Sequence, residues 1–358
     1  MFGLGRGKEI VGIDIGSYSI KAVELIPKGK EGSDRYELKK IGYELLPHDA
    51  IVEGTVIDSA AVVESIKTLC EENKITTKNV AISISGNSVI IKKISLPPME
   101  AEELAESIIW EAKHNIPYPY EETNVDYAIL DPSQADTGKN LDILLVAAKK
   151  DKIANYSNVI HQADKELVAI DVDVFAIQNA VEINYPDIIK EKTVAIINLG
   201  SNITNVVIVE NGIPFLFRDL SIGGSFFTEN LSKDLNLSFD EAEKVLKGLP
   251  VKDIQPEQVQ TSLSMNMQNL LEEIEKTFSF YEAGGKEEKK IEVTFLSGGL
   301  SKLKNLQQNF EEKFNVKTEL LNPFRRISYN DKKFDPLYFD ELAALFGVAT
   351  GLAIRKMG

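Results

Sequence analysis

Asp14, Ser17, Ser19 and Lys21 are the first residues in the chain whose types and spacing could do chemistry. They fall in the stretch VGIDIGSYSIKAVEL (11–25), where an apolar run breaks at Asp14. The chain then turns through Gly16 and Ser17, with Tyr18 beside them, and resumes as a strand carrying Lys21. Backbone amides and small hydroxyls approach anionic oxygens closely only where side chains are short, so this turn suits a phosphate tail. Lys21 would then act as a point cation. A solvent-facing hairpin is the plainer alternative.

The same device recurs roughly 180 residues later. Aligning IDIGSYSIKAV, from Ile13, with INLGSNITNVV, from Ile197, superposes Asp14 on Asn198, Gly16 on Gly200 and Ser17 on Ser201. Both copies follow β-branched runs and resume as strands, and the second ends in the hairpin pair Asn211-Gly212. Chance can produce either turn alone; a duplicated strand–turn–strand is more economically read as two similar lobes gripping one ligand. A third element, VTFLSGGLSKLKNL from Val293, predicts a strand, then Gly298-Gly299, then a helix beginning near Ser301. Paired glycines at a helix start let a base or phosphate lie against backbone.

The elements that must position these residues need a large chain. With 358 residues, more than one lobe is expected, because single cores stop growing at roughly 250–300 residues. A net charge of −15 disfavours nucleic acid as the main ligand and confines any phosphate to a local site. One cysteine, Cys70, excludes a disulfide within the chain. The start MFGLGRGKE lacks an apolar leader, and no later run approaches 18 apolar residues, so the expected compartment is cytoplasmic, with no direct membrane insertion.

The three elements, in this order, resemble the actin, heat-shock chaperone and sugar kinase superfamily across nearly the whole chain. The resemblance implies an α/β, ribonuclease H-like duplicated, two-lobed ATPase fold that binds ATP with Mg2+. Asp14, Gly16, Ser17, Tyr18, Ser19 and Lys21 fall on its first phosphate motif, with Asp14 holding the metal through water. Gly200, Ser201 and Asn202 fall on the second, and Gly298, Gly299 and Leu300 on the adenosine motif. VFAIQNAV from Val174 and DELAALFGVATGLA from Asp340 resemble the helices that connect the lobes, with Gln178 where actin carries a water-orienting glutamine. Glu243 and Lys247 share a helical face where the superfamily contacts ribose, although the family spacing is usually one residue shorter.

The middle of the chain, 88–166, reads as an inserted βαββα unit, with an apolar helical stripe at Leu104, Ile108, Ala112 and Ile116. An insertion here resembles subdomain 1C of the FtsA branch. The domains implied are 1–87 (subdomain 1A), 88–166 (1C), 167–192 with 336–358 (return to 1A), and 193–335 (lobe 2). Every phosphate and adenosine element is thereby expected outside 88–166.

Within the branch, GIDIGSYSIKAVEL, LPPMEAEEL and IPYPYEE are similar to the PilM family of type IV pilus assembly. An FtsA-like protein is expected to end in a basic amphipathic helix, whereas this sequence stops at GLAIRKMG. A small-molecule kinase, the other alternative, needs a substrate insertion and a general base that the sequence does not offer as a pair. The PilM resemblance implies a scaffold at the inner face of the cytoplasmic membrane, recruited by the N-terminal tail of PilN. Other platform proteins and motor ATPases are further implied partners. The expected groove involves Ile90, Ile91, the Glu100 helix with Trp110, and the turn Ile116-Pro117-Tyr118-Pro119-Tyr120; alternatively, Trp110 and the tyrosines close the insertion's own core.

One departure bears on catalysis. The second phosphate motif normally begins with aspartate, and here that position is Asn198, with Asn205 at the next expected acidic position. Asparagine keeps an acceptor oxygen but loses a charge beside the metal, so binding with slow hydrolysis is expected, carried by Asn198 and Gln178. His48, His114 and His161 are far apart and do not suggest a metal site. The runs around Glu100–Glu106 and Glu272–Glu275 read as solvated helix faces. The stripe Leu263, Met267, Leu270, Leu271, Ile274, Phe278, Tyr281 predicts one long packed helix.

Overall fold

The computed structural model describes residues 9–28, 35–131, 140–252, 254–284 and 290–355. The segment read for leader character (1–8) and the last three residues lie outside them. Lobe 1 opens with β1 (Val11–Ile15), β2 (Ser19–Lys28), β3 (Arg35–Leu45), the small hairpin β4 (Ile51–Val52) and β5 (Thr55–Val56), α1 (Ser59–Glu72) and β6 (Asn79–Ile84). The chain then leaves the sheet through β7 (Val89–Leu96), α2 (Ala101–Asn115), β8 (Thr123–Ile129) and β9 (Leu141–Lys149). It returns through α3 (Lys150–Gln162), β10 (Glu166–Val172), α4 (Asp173–Asn184) and α5 (Pro186–Glu191).

Lobe 2 comprises β11 (Thr193–Leu199), β12 (Thr204–Glu210), β13 (Ile213–Leu220), α6 (Gly224–Leu235), α7 (Phe239–Leu246), α8 (Pro256–Ala283), β14 (Val293–Ser297), α9 (Leu306–Phe314) and β15 (Lys317–Leu320). The chain closes with α10 (Pro336–Leu342) and α11 (Gly347–Ala353).

The two main sheets have the same plan. Their strand orders are β3-β2-β1-β6-β10 and β13-β12-β11-β14-β15. In each, three antiparallel strands are followed by two parallel ones. The duplication read from two short turns therefore extends through whole sheets.

Small residues set how closely the layers approach. Val11, Ile13 and Ile15 of β1 are buried in the core shared with α1 and α3. Gly12 points the other way, where a Cβ would meet the Ala349 carbonyl oxygen of α11 at 2.2 Å. Gly351 of α11 faces α4 still more tightly, since a Cβ there would lie 1.6 Å from the Ala176 carbonyl oxygen. The two connecting helices thus cross backbone to backbone. The region expected as one helix from Asp340 is broken into α10, a 3-10 turn (Ala343–Phe346) and α11.

The predicted stripe on α8 is borne out: Met267, Leu270, Leu271, Ile274, Phe278 and Tyr281 are buried in the lobe 2 core, with Leu263 packed at its margin. In the middle of the chain, β7-β9-β8 form a separate three-stranded sheet whose core includes Leu104, Ile108, Ala112 and Ile116 from the predicted α2 stripe. However, Tyr156, Val159, Ile160 and Ala163 put α3 in the lobe 1 core. Residues 150–162 pack with lobe 1 rather than with the insertion.

Candidate functional site

Between the lobes lies a cleft of about 1590 Å³, wider than a single small-ligand pocket. Both glycine turns open into it, and they are built alike. The Gly16 amide donates to the Ser19 carbonyl at 3.2 Å, and the Gly200 amide to the Ile203 carbonyl at 3.1 Å. At Gly200 a Cβ would meet that Ile203 oxygen at 2.7 Å, so a side chain would break the turn.

Cross-strand chemistry then distinguishes the copies. Asp14 pairs with Lys21 across β1 and β2, with Lys21 Nζ 3.3 Å from Asp14 Oδ2. The equivalent pair across β11 and β12 is Asn198 with Asn205, whose amides meet at 3.2 Å. Burial raises the Asp14 carboxyl above its ordinary 3.8, Lys21 opposes the rise, and the charge of Asp173 adds to it.

The amide pair has a fixed polarity. Asn205 Nδ2 donates to Asp219 Oδ1 at 2.8 Å, and Asp219 Oδ2 accepts the Gly86 amide of lobe 1 at 3.0 Å. An ionised carboxylate only accepts, so Asn205 must turn its oxygen toward Asn198, and Asn198 must supply a donor. Aspartate at position 198 would set oxygen against oxygen.

The second turn is backed by a feature the motif reading missed. The amides of Gly224 and Ser225 donate to the carbonyls of Gly200 and Ser201 at 3.0 and 2.8 Å. Ser225 Oγ also bonds Asn202 Oδ1 at 2.9 Å and meets Ser201 Oγ at 2.9 Å. The signal was present as GGS at the start of α6.

Gly298, Gly299 and Leu300 line the cleft as expected. Gly298 has φ +86°, and a Cβ there would meet the Leu199 carbonyl at 2.4 Å, so the glycine is required. The helix expected to begin near Ser301 does not: Gly299–Lys302 is a single 3-10 turn, and the α-helix begins only at Leu306. Glu243 and Lys247 also face the cleft, 2.7 Å apart. Tyr18 reaches them from lobe 1: its hydroxyl donates to Glu243 and accepts from Lys247 Nζ at 2.7 Å. Nearby, the His48 ring stands edge-on to Phe239 at 4.5 Å, a further contact between lobes.

Gln178 is not among the residues that line the cleft. Its amide donates to Glu182 at 2.8 Å and toward the Gly212 carbonyl at 3.5 Å, at the hairpin end of β12. Asp173, in the first turn of α4, lines the cleft instead. They lie five helical steps apart, roughly 140° around the axis and about 7.5 Å along it. Residues from 88–166 also reach the cleft, against expectation: Lys152 and Tyr156 of α3 lie in its wall. Burial, helped by the charges of Asp173 and Asp14, pushes the Tyr156 hydroxyl well above its ordinary range.

Trp110 is 58% exposed and stacks on His114 with ring centroids 3.9 Å apart, so it closes no core. Tyr118 and Tyr120 pack at the margin of the insertion's core. Ile90 faces that core, whereas Ile91 and Val146, on the opposite face of the insertion sheet, join Val168 of β10, Phe175 of α4 and Phe217 of β13 in a half-buried apolar strip packed against a core shared by the two lobes.

Duplicated sheets meeting over a cleft with a glycine hairpin from each lobe constitute the actin-like ATPase fold. The same fold is seen at 12% identity in ethanolamine utilization protein EutJ from Carboxydothermus hydrogenoformans (TM-score 0.56, covering 97% of this chain and 89% of that one). It is seen at 14% identity in MreB5 of Spiroplasma citri bound to ADP (TM-score 0.50, 97% and 95% covered). The profile of the family described as type IV pilus assembly protein PilM matches residues 12–357, and the chain belongs to that family. A solved structure described as a PilM-PilN type IV pilus biogenesis complex contains a chain 26% identical to this one (TM-score 0.87, 99% and 100% covered). Cell division protein FtsA of Bacillus subtilis (strain 168) is 23% identical over 262 residues, 67% of this chain and 57% of that relative's length. Among the described residues, no helix is long and apolar enough to cross a membrane.

Proposed function

We propose that this protein is the actin-like scaffold of a type IV pilus inner-membrane platform, binding ATP in the cleft and the N-terminal tail of a PilN-type protein beside the insertion. The observation that carries the nucleotide half is the convergence of two geometrically matched glycine turns on one cleft that Lys21 also lines. The backbone amides that follow such glycines and a point cation match the terminal phosphates of a nucleotide. Gly298 and Gly299 present bare backbone to the base, and Glu243 with Lys247 faces the ribose side.

Asp14, Asp173 and the Asn198 oxygen are acceptors suited to a hard, hydrated cation, which fits Mg2+ held through its waters. When bound, the metal would neutralise phosphate charge. Asp173 is the α4 residue placed to orient water, in the role expected of Gln178, and with Asn198 lacking a charge the reading is of slow turnover.

For the partner, family membership and the strip of Ile91, Val146, Val168, Phe175 and Phe217 support an extended apolar peptide seated between insertion and lobe. Cytoplasmic location and recruitment to the membrane through that tail follow from the same reading. Calorimetry with Mg-ATP and a synthetic PilN tail tests both halves. The parent is expected to bind each, and Asp14→Ala or Lys21→Ala to weaken ATP by about ten-fold or more while sparing the peptide site. Unaltered ATP binding by both variants would overturn the nucleotide site, and absence of peptide binding by the parent would overturn the partner.

A further inference from the structure

Lys152 sits in the first turn of α3 and is only 8% exposed, yet it lines the cleft with Asp14, Ser83, Ser85, Asp173 and Asn198. Its ammonium donates to the carbonyl oxygen of Ser85 and lies 3.0 Å from where a Cβ on Gly54 would stand. The charges of Asp173, Asp219 and Asp151 reach it, but among the described residues no carboxylate stands at ion-pair distance from it. A buried ammonium is costly unless paired, and burial lowers the affinity of Lys152 for its proton. A second polar group on the same wall, the buried Ser83 hydroxyl, lacks any hydrogen-bond partner among the described residues.

We propose that Lys152 is a further cationic contact for the terminal phosphate of the bound nucleotide, contributed by the helix that leads back from the insertion. The proposal rests on the nucleotide reading above and adds a residue that carries no phosphate motif. The bond of Lys152 to the Ser85 carbonyl has a consequence. Ser85 begins the connection into β7, and the next residue, Gly86, holds Asp219 of lobe 2. When Lys152 turns to a phosphate oxygen it releases the Ser85 carbonyl, so the charge of the nucleotide is felt at the root of the insertion. ADP, one phosphate shorter, leaves Lys152 on Ser85.

The test is calorimetric titration of Mg-ATP and Mg-ADP into the full chain and its variants Lys152→Met and Lys152→Gln. Glutamine retains a donor for the Ser85 carbonyl but removes the charge, which separates a phosphate contact from a purely structural one. Both variants are expected to lose about ten-fold or more in ATP affinity and less than about three-fold in ADP affinity. If Lys152→Met does not fold, Lys152→Gln decides alone. An unchanged ratio of ATP to ADP affinity in Lys152→Gln overturns the proposal while leaving the nucleotide site standing. A parent that binds neither nucleotide overturns the site and the proposal together.

Discussion

Gly351→Ala adds one methyl group where α11 crosses α4, and two effects of opposite sign compete there. In an open helix the change would stabilise the chain by about 1 kcal/mol, because alanine is the better helix former. Here the new Cβ would lie 1.6 Å from the Ala176 carbonyl oxygen, whereas ordinary contact begins at 3.4 Å. The helices must therefore part by about 1.8 Å, the difference between those two distances, against a neighbour that is backbone and cannot rotate aside. Ala176, Ile177 and Ala180 are at most 1% exposed, so separation also opens voids beside them. Overpacking usually costs about 1–3 kcal/mol, and a backbone clash with loss of packing puts this site near 4. The net expectation is destabilisation by about 3 kcal/mol, read as a lower urea midpoint at an unchanged slope. Because α4 carries Asp173 into the cleft, ATP affinity should fall as well. A variant as stable as the parent, or more so, would show that propensity outweighs contact and that the crossing is looser than described.

Asn198→Asp alone should destabilise the protein and leave ATP turnover slow, since it opposes two acceptors across β11 and β12; the double change Asn198→Asp with Asp219→Asn reverses the direction of the chain, so that every donor again meets an acceptor, and should recover stability. Urea unfolding of both variants and the parent reads the coupling, and additive effects would refute the polarity argument. The contact between Tyr18, Glu243 and Lys247 should be insensitive to pH across the neutral range. Burial opposes it, but hydrogen bonds from Lys247 and Tyr18 hold Glu243 below its ordinary 4.5, so its contribution is present above that value and lost on further acidification. Burial likewise opposes the charge on Lys247, yet bonds to Glu243 and Tyr18 raise it above 10.5, so its contribution disappears only as pH rises beyond that. Hydrogen exchange at the Gly16 turn, corrected for intrinsic rates, should match at about pH 6 and 9 and rise in Tyr18→Phe; a change in the parent would refute it.

What the sequence revealed was mostly local. Gly16 and Gly200 are readable because a turn that crowds a Cβ, tightly at Gly16 and prohibitively at Gly200, leaves its mark within five residues, and α8 is readable because its buried stripe has one period. Trp110 was readable too: it lies two residues from Ile108, about 200° around the helix, which already places it off the buried stripe. Gln178 misled because matching a short string fixes neither the phase of a helix nor its depth in the fold. That phase is set by glycine contacts with α11, more than 160 positions away in the chain. Lys152, Tyr156 and Asp219 lacked any motif. Lys152 and Tyr156 reach the cleft through α3, a long-range return of the chain visible only once β6 and β10 are seen to be neighbours, whereas Asp219 meets Asn205 across the β12–β13 hairpin.

The insertion leaves lobe 1 after β6 and comes back before α3, and its two ends are tied where the Lys149 amide donates to the Ser88 carbonyl at 3.1 Å. That makes it a boom on a pivot, seated along its root against the lobes through Ile91 and Val146. An eight-residue strand such as β7 is about 26 Å long at the usual rise, so a tilt of about 10° at the pivot swings its far end by roughly 4–5 Å. A shift too small to notice at the phosphate turns is thereby magnified, at the tip, to the size of a side chain.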